Sequence, residues 1–217
     1  MKKNTAFTLA EVMLTIAIIG IVVAITIITL MLNTNRAEFK TGFKKFISSV
    51  NQAIAGAIVN DYLDFGAATV GTMESTQSIM SMLSQQMHVA KTVVGSDADT
   101  QKMFKDADSN YTIFLADGMV LSYPQNAAGC TNFLKADVKK ECAGIVDVNG
   151  TKFPNKLSNC QCDFPSGTKP EIYADNTANN NFCNEENALI SDQYSIRFKG
   201  QLIIPNGYAA RYALYEK

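Results

Sequence analysis

Positions 12–32 read VMLTIAIIGIVVAITIITLML, 21 consecutive residues without an ionisable group. As an α-helix rising 1.5 Å per residue this run extends about 30 Å, the depth of a bilayer's hydrocarbon core, so it predicts a membrane-spanning helix. A cleaved secretory signal has a shorter apolar region, about 7–15 residues, closed by a small-residue cleavage site. Here Asn33-Thr34-Asn35-Arg36 follows, and the segment is expected to stay on the chain. Lys2 and Lys3 on one side face Arg36, Lys40, Lys44 and Lys45 on the other, so charge asymmetry alone sets no direction across the membrane.

That run explains the low charged fraction, 18% of 217 residues, against about a quarter in ordinary soluble domains. Nineteen Lys and Arg against twenty Asp and Glu give a formal charge of -1. Such a balance supplies no footprint for nucleic acid or for an anionic surface, so no nucleic-acid partner is expected. The 47% hydrophobic share suffices to bury a core without a metal. With a single histidine, His88, triads and multi-histidine metal sites are excluded unless His88 itself belongs to them. There is no P-loop, nucleophile elbow or glycine-rich dinucleotide motif, and an enzyme is the weakest reading.

One acidic residue breaks the pattern. Glu11 stands immediately before the apolar run, within KKNTAFTLAEV at positions 2–12: a basic leader, a small residue, then Phe-Thr-Leu-x-Glu leading into the helix. A carboxylate at the edge of a membrane helix must reach the interface or meet a positive partner. This pattern resembles the processing site of type IV pilins and of the pseudopilins of type II secretion and DNA-uptake machines. The resemblance implies that a prepilin peptidase cuts between Ala6 and Phe7 and methylates the new amino group of Phe7. Glu11 then becomes the fifth residue of the mature chain, where the family has its glutamate. Ala6 replaces the family's usual glycine, Gly20 matches a glycine that loosens the helix in relatives, and Ile28 stands where many pilins have proline. The resemblance also implies orientation: the leader lies in the cytoplasm and everything after Arg36 lies outside it.

The glutamate has a physical rationale independent of the family. After cleavage, the charged amine of Phe7 would top an apolar helix, and a filament stacking such helices must bury it. A carboxylate from the neighbouring subunit's Glu11 would neutralise it, whereas an unpaired buried charge costs several kcal/mol. Methylation keeps the positive charge.

Beyond the membrane, Phe39, Phe43, Phe46, Val50, Ala53 or Ile54, and Ala57 recur every three or four residues, and proline is absent until Pro124. One helix is expected from about Phe7 to about Tyr62, lipid-soluble in its first half and amphipathic in its second. Gly66 and Gly71 form a connector. Ile79, Met82, Leu83 and Met87 then predict a short helix within positions 74–88, ended by His88, and positions 94–110 read as a loop with at most one helical turn. Strands are expected at 111–115 and 119–123 around an Asp117-Gly118 turn, at 144–148, and at 194–198 and 201–204 around Lys199-Gly200, closed by Pro205-Asn206-Gly207. The fold class is therefore α+β: a long N-terminal helix packed on a C-terminal antiparallel sheet. Its expected organisation is a leader at 1–6, a membrane or filament-core half-helix at 7–32, an amphipathic half-helix at 33–65 and an extracytoplasmic domain at 66–217.

Two stretches extend the resemblance. IVDVNGTKFPN at 145–155 looks like a strand-and-turn signature of the family, and DQYSIRFKGQLIIPNG at 192–207 is similar to the strands that usually follow it. Here positions 156–191 intervene, an asparagine-rich insertion. All five cysteines, Cys130, Cys142, Cys160, Cys162 and Cys183, fall on the side placed outside, where disulfides persist. Several pairings are open; the favoured one joins Cys130 with Cys142 and either Cys160 or Cys162 with Cys183, leaving one thiol over. Zinc on Cys160-x-Cys162 is a rival reading, with a spacing shorter than usual ligand pairs. No cofactor is required, although Asp147, Asn149, Asn155 and Asp163 offer oxygen ligands around a Gly-Pro turn, and some pseudopilins hold calcium in a C-terminal loop. The same residues are ordinary turn formers.

Two function classes remain. The first is a filament subunit, stored in the lipid bilayer and then self-associating into a helical filament with the help of the prepilin peptidase and an inner-membrane assembly machinery; major pilin, minor pilin and secretion or DNA-uptake pseudopilin are not separable here. The second is a membrane-tethered adhesin whose anchor never leaves the lipid. Glu11 discriminates, because a permanent anchor has no need of it.

Overall fold

A computed structural model describes residues 8–61, 79–104, 110–124, 143–160, 188–199 and 202–215. The expected long helix is present as α1, Leu9–Asp61. The chain divides into two units, Met1–Glu38 and Phe39–Lys217. Among the described residues of the first unit, 9–27 of α1 present apolar side chains all round with none of them buried, and Leu9–Ile27 is long and apolar enough to cross a membrane.

In the second unit the amphipathic stripe becomes the core. Phe43, Phe46, Ile47, Val50, Ile54 and Ala57 are buried, which resolves the Ala53 or Ile54 alternative in favour of Ile54. They pack with Tyr111, Ile113, Leu121, Tyr123, Val146, Tyr194, Ile196 and Phe198 from one face of a sheet. The Phe43 ring stacks on Tyr194 with centroids 4.2 Å apart. Among the described residues the sheet has six strands, in the order β1 (Val89–Val94), β2 (Asn110–Leu115), β3 (Val120–Pro124), β4 (Ala143–Asp147), β7 (Gln193–Lys199) and β8 (Leu202–Pro205), every neighbouring pair antiparallel. Period-two alternation divides β2: Tyr111, Ile113 and Leu115 belong to the α1-side core, whereas Phe114 packs with Met103, Phe104 and Val120 in a second cluster. The α+β architecture with a long helix and an antiparallel sheet is as the sequence implies.

The Asp117-Gly118 hairpin forms as expected, with Gly118 at φ 90° and its N–H donating to the Leu115 carbonyl. α2 (Ile79–Gln86) ends just before His88, and α3 (Thr100–Met103) is the single turn allowed for the following loop. Four elements were not anticipated. β1 follows His88 directly, and a bulge between Val89 and Lys91 irregularly pairs it with β2. The insertion is gathered at its ends by β5 (Asn159–Cys160) and β6 (Ala188–Leu189), an antiparallel pair. The chain finishes in α4 (Tyr208–Tyr215), which buries Ala209, Ala210 and Ala213.

Two close approaches require glycine. A Cβ on Gly144 would lie 2.6 Å from the Tyr123 ring and 2.9 Å from the Ser122 carbonyl, so β4 can pass under the buried Tyr123 only without a side chain. Gly150, at φ 71°, brings its α-carbon against the hairpin tip: a Cβ there would sit 2.5 Å from the Gly118 carbonyl oxygen.

Candidate functional site

The functional residues read from the sequence fall into two places. At the start of α1, the carboxylate of Glu11 accepts hydrogen bonds from the Thr8 backbone N–H (2.9 Å) and hydroxyl (3.0 Å). The Glu11 N–H in turn donates to Thr8 Oγ1 at 3.3 Å. This is a reciprocal capping box: two helix-end donors, which nothing else in the helix can satisfy, are occupied by the Thr and the Glu three residues on. Sequence reasoning singled out Glu11 but overlooked the cap, although the T-x-x-E spacing ahead of an apolar run is its signature. Ala6 and Phe7, the expected cleavage and methylation residues, lie outside the described residues.

After the cap, the helix exposes Leu9, Met13, Leu14, Ile16, Ile19, Ile21 and Ile25, each more than half accessible. A contiguous apolar surface of this extent needs lipid or other protein to cover it. The described hydroxyls within it are satisfied internally: Thr15 Oγ1 donates to the Val12 carbonyl at 2.8 Å and Thr26 Oγ1 to that of Val22 at 3.0 Å. Closed in this way, neither hydroxyl brings an unpaired donor into hydrocarbon.

The second place is the turn after β4. Asp147 is fully buried; its Oδ1 accepts from the Asn149 N–H (3.1 Å) and its Oδ2 from Gln193 Nε2 (3.0 Å), which also donates to the Met103 carbonyl. Burial pushes its carboxyl up to about 7; the Gln193 amide opposes that shift, while the nearby negative charge of Asp192 adds to it. Asp192, also fully buried, accepts from the Asn155 N–H (2.7 Å), the Lys156 N–H (2.8 Å) and the Ser191 hydroxyl (3.2 Å). Asn149 Nδ2 donates to the Phe153 carbonyl at 3.3 Å, and Asn155, at φ 48°, can turn its amide nitrogen toward the Lys152 (2.8 Å) and Gly150 (3.2 Å) carbonyls.

Three of the four proposed calcium ligands, Asp147, Asn149 and Asn155, thus share one turn, and Asp163 lies outside the described residues. A calcium ion would have to displace the amide donors that now occupy Asp147. Among the described residues, no group of three or more His, Cys, Asp or Glu is placed to hold a metal. The organising carboxylate is Asp192, which the sequence did not single out because its partners are 36 and 37 positions away. Cys160 is disulfide-bonded; its pairing, like Cys130, Cys142, Cys162 and Cys183, lies outside the described residues. His88 is exposed and enters the fold through its carbonyl, which accepts from the Ala116 N–H at 2.9 Å.

Among known protein families, residues 1–31 match the prokaryotic N-terminal methylation motif, a stretch that covers the basic N-terminus, the capping box and nearly all of the apolar run. No curated protein and no solved structure matches the chain.

Proposed function

We propose that this chain, which carries the prepilin signal of type IV pilins and pseudopilins, is a structural subunit of a type IV pilus-like filament. The motif's family is structural, and the motif implies processing by a prepilin peptidase followed by assembly into pili. On this reading the peptidase removes residues 1–6, Phe7 becomes the methylated N-terminus, and residues 7–32 anchor the monomer in the inner membrane. The amphipathic half-helix, 33–65, then leads into an extracytoplasmic domain, 66–217. Assembly transfers the apolar half-helix from lipid into a bundle of identical helices under an inner-membrane machinery.

The observation that carries this reading is an acidic residue capping an otherwise fully exposed apolar helix. In the single chain, Glu11 is already satisfied by Thr8. A lipid anchor would need nothing more. In a helix bundle the charge is buried, and the new amine of a neighbouring Phe7 becomes its natural counter-ion, fixing the register between subunits. A purely tethered adhesin would leave that glutamate without a task beyond its cap. The test is Glu11→Ala in a cell that assembles the filament: membrane insertion persists and filament yield falls at least tenfold. Unchanged yield would refute the pairing.

A further inference from the structure

The most exposed large hydrophobic side chain among the described residues of the folded unit is neither on α1 nor on a sheet edge. It is Phe153, 84% accessible, at the tip of the turn at 149–156. We infer that this turn is a membrane-docking tip, with Phe153 entering the headgroup layer of the bilayer and Lys152 and Lys156 resting on its anionic surface. The inference rests on the membrane-anchored reading above and adds a second contact with the same lipid.

Topology places the turn where that contact is available. On β7, Tyr194 stacks on Phe43 of α1, while further along the sheet the Ile203 N–H donates to Asn51 at 2.8 Å. β7 therefore runs in the same sense as α1, and β4, paired antiparallel with it through Ala143↔Arg197 and Asp147↔Gln193, runs back toward Phe39. Val148 confirms this end, since a Cβ on Gly42 would lie 3.1 Å from its own. Residues 149–156 thus leave the sheet at the end where the polypeptide arrives from its apolar segment. Leu32 precedes Gly42 by only ten residues along the chain, a tether short enough to give even a weak lipid contact a high effective concentration.

The chemistry of the tip fits a lipid surface. Its sequence, NGTKFPNK, has two lysines and no acid, and both lysines are exposed. The two carboxylates that bond its backbone, Asp147 and Asp192, are buried, and Asp117 on the adjoining hairpin is paired with Lys45 at 3.0 Å. An aromatic ring with basic neighbours is a composition favoured at a membrane interface that carries anionic lipid. The tip is also held in shape: Asp192 fixes its C-terminal arm through two backbone N–H groups, and Asn149 holds the Phe153 carbonyl. An apolar side chain held rigidly in water has its ordering cost met before it binds. A second copy of the chain, in an isologous contact, would bring two more lysines against these two.

The chain contains no tryptophan, so Phe153→Trp introduces a sole indole. The full-length variant is reconstituted into phosphatidylethanolamine–phosphatidylglycerol vesicles containing brominated phospholipid, with Leu202→Trp, at the opposite end of the sheet, as the control. The Phe153→Trp emission should shift to the blue and be quenched well beyond the control, and both effects should be lost with Lys152→Glu and Lys156→Glu. Quenching no greater than that of Leu202→Trp overturns docking. So does quenching that disappears on dilution below one chain per vesicle, which assigns the tip to another copy. Flotation of the vesicles separates the two readings: a chain that does not float overturns the anchor itself, whereas a floating chain with an unquenched indole overturns only the tip.

Discussion

Asp147 and Asp192 are two carboxylates in the same buried corner, each met by different donors. Asp192 accepts two backbone N–H groups at short range, whereas Asp147 accepts the Asn149 N–H and the Gln193 amide, and burial raises its carboxyl to about 7. A folded-state pKa above the unfolded value means that the native fold holds a proton more tightly, so this contribution is complete below about pH 4 and is lost as pH rises through 7. The domain should therefore melt lower at pH 8 than at pH 5. Asp147→Asn should flatten that dependence, at a fixed loss of stability because its amide nitrogen would face the Gln193 donor. Thermal melts across this range check it; an unaltered slope in the variant would place the titration elsewhere. Gly144 makes a steric prediction at the same scale: Gly144→Ala drives a methyl into the Tyr123 ring and should destabilise by about 1–3 kcal/mol in urea titration.

Elements depend on which signals are local. The amphipathic half of α1 was legible because Phe43, Phe46, Val50 and Ala57 repeat at the helical period and face one surface. Phe43→Ala should therefore cost about 3–5 kcal/mol, since its ring is fully buried against Tyr194. The β2–β3 hairpin was legible for the same reason, its turn chemistry being encoded in Asp117-Gly118. β1 was not. As an edge strand it shows no inside–outside alternation, and its pairing, with a bulge, is decided by β2. α4 was hidden because its buried face is built from three alanines, which are good helix formers but give almost no hydrophobic contrast. At the site, Glu11 was readable from its isolation in an apolar run. Asp192 was not, since its role exists only once residues far apart in the chain are brought together.

At the scale of the whole molecule, a net charge of -1 conceals how the charge is spread. The sum argues against a basic groove, but it cannot register a turn whose only exposed charges are two lysines beside a phenylalanine. The same holds for hydrophobicity: an ordinary 47% share is divided between a buried core and a helix that leaves its apolar surface open. That open surface is tolerable only in lipid or in the interior of an assembly, and on the proposed function the N-terminal methylation motif marks the chain for transfer from one to the other. The account therefore turns on what happens at the sixth and seventh residues. Mass spectrometry of the N-terminal peptide, from chain recovered with and without the prepilin peptidase, tests this directly. The account predicts a methylated Phe7 terminus that depends on the peptidase; a chain still beginning with Met1 and its leader lysines in the presence of that enzyme would contradict it.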